Sequence, residues 1–273
     1  MSRSVVALDT TVFYTSIARI ISDDPQPKCG YRYAAPVTRD HDPASEVRRH
    51  TDLATQVVSA IVTSTFGVPD LVMMVRPQLG TMGDDPSAQR RIAVWWEIVR
   101  QLDAQKVPVG EVSLLSVQKA CVGSGQWGKR GTDALEQWVG ERFPEYTAPS
   151  FTDEKTGKTK ADPRYRSTTV AAAAVAALVA GMPSPLAGND HALHALRNGI
   201  SLPDGVSLPA PSTTRSGKPR KKREDYITEK LADIETATLE ELEGMNPRSH
   251  TLRAAIKKRL NRIEEKALMG GDW

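Results

Sequence analysis

The run Asp70-Leu71-Val72-Met73-Met74-Val75, set between Pro69 and Pro77, constrains the fold more than any other stretch of this chain. Its apolar residues show no polar alternation, so a strand made of them has to be covered on both faces, as at the centre of an α/β sheet. Helical patterns nearby supply the covers. From Pro43 to Phe66, Val47, Leu53, Val57, Ala60, Ile61 and Ser64 recur at near-helical spacing, and Gly67 and Pro69 stop the pattern. Ile92, Trp95, Trp96, Val99 and Leu102 form the stripe of a second helix, in which both tryptophans are expected to pack.

Further strands are expected at Val5–Leu8, Ser16–Ile21, Gly30–Ala35 and Pro108–Val112. A helix is expected over Thr132–Phe143, followed by a polar loop from Asp153 to Asp162. Thr168 to Gly181 is almost entirely alanine and valine, a composition that lets a helix pack closely on a sheet. Strands separated by helices predict a layered α/β domain over residues 1–182.

Residues 183–223 have linker composition, with prolines at 183, 185, 203, 209, 211 and 219, although His191 to Asn198 fits a short helix. Glu224–Ile234, Leu239–Met245 and Thr251–Leu268 read as a helical tail over residues 224–273, with Thr238 and Glu241 spaced as a capping box.

The net charge of +3 conceals an uneven distribution: six of the nine residues from Arg215 to Arg223 are basic. Arg215, Lys218, Arg220, Lys221, Lys222 and Arg223 suit contacts to phosphate, and Arg253, Lys257, Lys258, Arg259, Arg262 and Lys266 add positive charge to the last helix. The bland reading of these is a soluble linker and a solvated helix face paired with Glu264 and Glu265. No apolar run approaches the roughly 18 residues of a membrane span, and the start of the chain lacks a signal-peptide core, so a cytoplasmic protein without membrane contact is expected. Cys29 and Cys121 lack the spacing of a disulfide framework or a zinc site and are expected to be ordinary thiols.

Two local patterns carry chemistry. Asp9 ends the apolar run Val5-Val6-Ala7-Leu8, placing a carboxylate at a strand tip. Gly123-Ser124-Gly125 lies between Lys119 and Lys129, where the glycines would let backbone approach a phosphate and the lysines would supply charge. Taken alone, this second pattern equally describes a tight turn with two solvated lysines.

The order of elements and four local sequences resemble the RuvC-like Holliday junction resolvases of the RNase H-like superfamily, in particular those of actinobacteria and their phages. The stretch Ala7 to Ala18 looks like the family's first hairpin, and Val68 to Val75 like its central strand. Trp95-Trp96 through Pro108-Val109 is similar to the helix and strand that follow. Val117-Gln118-Lys119 through Lys129 is close to a family pattern of basic residues around Gly-x-Gly. The resemblance spans residues 4 to about 182 and implies an RNase H-like mixed five-stranded sheet flanked by helices. It also implies DNA as partner, branched DNA among it, in a bacterial or phage-infected cell. A homodimer is implied as well, to which the helix Ile92–Leu102 would contribute.

The resemblance further implies two Mg²⁺ or Mn²⁺ ions held by four acids, one ion activating water and the other stabilising the leaving oxygen. Asp9 fills the first place. The Glu expected at the central strand tip falls on Val75, beside Arg76, and the last two acids fall within Ser167-Thr168-Thr169-Val170, which has no carboxylate. Hydroxyls are poor ligands for hard cations. The sequence therefore predicts a DNA-binding member whose nuclease site is lost. Two alternatives stay open: an active structure-selective endonuclease in which Asp84, Asp85 or Asp162 replaces the missing ligands, and a phage structural or regulatory protein acting through a protein partner. Asp84 and Asp85 also suit the start of the next helix, Asp162 before Pro163 suits a turn, and His191 and His194 share a helical face without further ligands nearby.

Overall fold

The computed structural model describes residues 2–36, 42–77, 87–126, 128–152, 157, 159–211, 231–232, 234–235, 252 and 254–261. The chain forms two compact units, Met1–Thr213 and Thr214–Trp273. No helix among the described residues is long and apolar enough to cross a membrane.

The first unit is built on a mixed sheet. The strands β1 (Ser4–Thr10), β2 (Tyr14–Ile21) and β3 (Asp24–Tyr33) form an antiparallel meander, while β4 (Leu71–Val75) and β5 (Val109–Val112) extend it parallel to β1. The order is β3-β2-β1-β4-β5, and a two-residue strand, β8 (Ile200–Ser201), adds an antiparallel sixth at the edge. This is the expected RNase H-like sheet with one short strand more.

Every residue of β1 and of β4 is buried, as an uninterrupted apolar run requires. Side-chain alternation divides the core into two layers. Val6, Leu8, Val72 and Met74 face the helices α1 (Pro43–Val62) and α2 (Ala88–Ala104). Val5, Ala7, Met73 and Val75 face α5 (Ser167–Val179), which is buried from Thr168 to Val179. Only small side chains let a helix lie this close to a sheet along its whole length, which is why alanine dominates α5. Helix α1 starts at a capping box of Asp42 and Ser45 with Pro43 in its first turn.

Several elements depart from the sequence reading. Helix α3 (Leu114–Val122), capped by Ser113, precedes α4 (Lys129–Arg142), so the Gly-x-Gly pattern is an interhelical turn. The stretch expected as a polar loop from Asp153 to Asp162 contains a short strand, β7 (Thr159–Ala161), which pairs with β6 (Ser150–Thr152) just before it. Part of the proline-rich stretch packs onto the sheet domain: Leu186, Leu193 and Leu196 join the α5 core, the last two from α6 (Asp190–Leu196). Their apolar area outweighs the local linker composition. Trp95 packs as expected, but Trp96 is 60% exposed and Val47 is 63% exposed, because each points away from the sheet side of its helix. Both cysteines are free thiols.

In the second unit, Ile234, Leu252 and Ile256 form a small apolar cluster with Leu231, Ala255 and Leu260. Thr238, Glu241, Arg253, Arg262, Glu264, Glu265 and Lys266 lie outside the described residues.

Candidate functional site: the Asp9 cleft and its surroundings

The β1 pleat turns Asp9 to the same face as Val5 and Ala7, toward the start of α5. There Arg166, the N-cap residue of α5, places its Nη1 3.0 Å from Asp9 Oδ2. Asp9 is only 7% exposed. Burial raises its pKa above the ordinary carboxylate range, and Arg166 and Arg91 pull the other way. The carboxylate opens onto a cleft of about 110 Å³ whose walls include Thr10, Thr11, Arg76, Arg91 and Arg166. Three arginines thus line the cleft, with Arg166 paired to Asp9.

The position expected to carry an acid on the central strand is Val75, a core residue whose carbonyl accepts a hydrogen bond of 3.2 Å from Trp95 Nε1. Arg76, which follows it, pairs with Glu111 on β5. At the start of α5, Thr168 and Thr169 are buried hydroxyls, and Thr169 Oγ1 has no hydrogen-bond partner among the described residues.

The described residues of the cleft do not by themselves supply a two-metal centre. A divalent ion needs several ionised oxygens within reach, whereas Asp9 is held by a cation and the other described residues lining its cleft are neutral or positive. No group of three or more His, Cys, Asp or Glu side chains suited to a metal occurs among the described residues.

Asp162 is not among the residues that line the Asp9 cleft. Its side chain is held by the guanidinium of Arg164, and it accepts the Arg164 amide at 3.0 Å, while its carbonyl accepts from Tyr165 at 3.0 Å. This is the turn that its place before Pro163 suggests. The hydrogen bond from Arg164 holds its pKa below the ordinary value. Asp84 and Asp85 lie outside the described residues. His191 is exposed on α6, and His194 is half-buried.

The Gly-x-Gly turn has a structural explanation of its own. Gly123 ends α3 at φ +81°, a left-handed conformation that favours glycine, and its amide donates to Lys119 O at 3.1 Å. A Cβ on Gly125 would lie 3.2 Å from Lys119 Cε and 3.3 Å from Leu115 Cδ2, so the glycine permits close packing. Lys119 and Lys129 are exposed on either side of the turn. The turn stands at the far end of α3 from Leu114, which touches the Asp9 cleft, about 12 Å away along the helix. The two sequence patterns therefore mark separate surfaces. Arg215, Lys218, Arg220, Lys221, Lys222 and Arg223 lie outside the described residues.

Sequence reasoning missed Arg166, Arg91 and Glu111. Arg166 carried a signal, since it immediately precedes the alanine-rich helix where acids were sought. Arg91 and Glu111 carried none, because their approach to the cleft depends on how α2 and β5 pack around β4.

No protein-family profile matches the chain, and no curated protein sequence does. Among solved structures, Thermus thermophilus RuvC in complex with Holliday junction substrate is similar at 14% identity and TM-score 0.41, over 63% of this chain and 90% of that one. A second structure of Thermus thermophilus RuvC is similar at 13% identity and TM-score 0.41, over 67% of this chain and 99% of that one. YeaZ from Pseudomonas aeruginosa is similar at 19% identity and TM-score 0.24, over 43% of this chain and 47% of that one.

Proposed function

We propose that this chain is a RuvC-like DNA-binding protein in which the two-metal nuclease site has been lost. The observation that carries the reading is the Asp9–Arg166 ion pair, which puts a guanidinium where a catalytic cation would have to sit. The cleft, which gathers Arg76, Arg91 and Arg166 beside the acids Asp9 and Glu111, suits the phosphates of a nucleic acid better than a divalent ion. Lys119 and Lys129 offer a second cationic surface, and the basic stretch Arg215–Arg223 a third. Branched DNA is the proposed ligand, on the RuvC resemblance. Pairing of two chains through α2 is favoured by Trp96, a large aromatic left 60% exposed on that helix.

The test uses purified full-length chain, labelled four-way junctions and matched duplexes, with Mg²⁺ or Mn²⁺ present. Binding at low salt without cleavage is expected. Cleavage abolished by Asp9→Ala would overturn the loss of catalysis, and failure to retain either DNA at low salt would overturn the binding role.

A further inference from the structure

Beside the Asp9 cleft lies a groove of about 370 Å³ with aromatic walls. Tyr33 on β3 and Phe151 on β6 line it, and they are 43% and 41% exposed. Tyr14, Asp162, Pro163 and Arg164 complete its lining. Large rings held open to water in this way carry a solvation cost that a ligand with a flat apolar face would relieve.

The groove is fixed rather than merely exposed. Tyr14 hydroxyl donates to Pro163 O at 3.0 Å, joining β2 to the segment before α5, and its ring meets Tyr33 edge to face at 6.3 Å. The Arg164 guanidinium is held by Asp162 and the Tyr33 hydroxyl, and it stacks over Tyr31 at 4.6 Å from the ring centre. A planar cation locked beside aromatic walls combines stacking faces with fixed hydrogen-bond donors.

We propose that this groove receives one unpaired nucleobase of a DNA strand whose backbone lies along the arginine-lined cleft; this rests on the DNA-binding role proposed above. Tyr14 connects the two places. It begins β2 directly after the turn in which the Thr11 amide donates to Tyr14 O at 2.9 Å, and Thr10 and Thr11 are walls of the cleft. A phosphate held by Arg166 therefore has an aromatic groove next to it. Bases inside a duplex are covered on both faces by their neighbours, whereas unpaired bases present a face to stack. Asp162 pairs Arg164 and Asp9 pairs Arg166, and the guanidinium donors that these acids leave over favour a strand bearing phosphates over an apolar protein segment.

The experiment compares the full-length chain with Phe151→Leu and Phe151→Trp, by fluorescence anisotropy on a single-stranded oligonucleotide and on a blunt duplex of the same sequence. A 2-aminopurine base in the single strand reports stacking directly, and circular dichroism checks each variant's fold. The wild-type chain and Phe151→Trp are expected to prefer the single strand and to quench 2-aminopurine. Phe151→Leu is expected to lower that preference at least about five-fold, the lower limit of one stacked base, and to abolish the quench. An unchanged preference, or equal weakening on both DNAs, would overturn the groove while leaving DNA binding intact. A wild-type chain that retains neither DNA would overturn the binding role, and this inference with it.

Discussion

Arg166 Nη1 sits 3.0 Å from Asp9 Oδ2 across the open end of the sheet, and this pair decides how the cleft behaves. Asp9 is nearly buried, so its charge is tolerable only while a cation faces it. Replacing Arg166 by Ala removes the partner and leaves the carboxylate to protonate or remain unpaired. A loss of ~1–3 kcal/mol at pH 7 is expected in urea unfolding, with Asp9→Asn in the same chain restoring most of it. Equal destabilisation of the single and double variants would show that the pair does not stabilise the fold.

DNA affinity should depend on salt through Lys119 and Lys129. Each lysine that neutralises a phosphate releases about one counterion, so the slope of log K against log salt should become shallower by about 2 in the Lys119→Gln, Lys129→Gln chain. Duplexes of different sequence should be weakened alike, since phosphate contacts carry no base information. Titrations at several salt concentrations measure both quantities, and an unchanged slope would remove these lysines from the interface.

The sheet was legible in the sequence because its evidence is local. The apolar run at 71–75 and the alanine-rich stretch at 168–181 each announce an element covered by another layer. That Val75 and Thr169 are not acids was legible for the same reason, as it concerns residue types at positions where the resemblance expects carboxylates. What took their place was not legible. Arg91 comes from α2 and Glu111 from β5, and only packing around β4 brings the first to the cleft and the second to Arg76. Helix α3 was hidden because its turn drew attention as a motif. The docking of Leu186, Leu193 and Leu196 was hidden because proline composition speaks of local backbone and not of distant apolar contacts.

Acid should unfold this protein partly through Glu46. It is buried on α1, with Arg49 Nη2 and His50 Nε2 each 2.9 Å from its Oε1, and the Arg49 hydrogen bond is the main cause that lowers its pKa to about 2. Burial lowers His50 as well. Both groups bind protons more weakly folded than unfolded, so their contributions are complete above the unfolded pKa values and decline as pH falls. His50 acts first, below its unfolded value near 6.5, and Glu46 follows from about 4.5 toward 2. Glu46→Gln should remove ~1–3 kcal/mol at pH 7 and flatten the pH dependence below 4.5, measured by urea unfolding across pH. A variant with the parent's acid profile would locate the sensitivity elsewhere.

Gly131 separates the shape of the Lys119–Lys129 surface from its charge. It lies in the first turn of α4, where an added Cβ would stand 2.2 Å from Gln126 O and 2.3 Å from Gln118 Nε2. Gln118 Oε1 also accepts from the Gln126 amide at 2.9 Å, so this side chain clamps the interhelical turn to α3. Gly131→Ala must push the clamp apart, at a cost of ~1–3 kcal/mol typical of overpacking. Gly140, on the same helix, has open space around its Cβ position, and Gly140→Ala should stabilise by up to ~1 kcal/mol through helix propensity alone. Thermal unfolding distinguishes the two. If the turn presents its lysines to phosphate, Gly131→Ala should also weaken DNA binding with the salt slope largely retained, since no charge is lost, whereas the double lysine variant lowers the slope itself. Normal affinity in a folded Gly131→Ala chain would mean that the lysines act without the geometry of the turn.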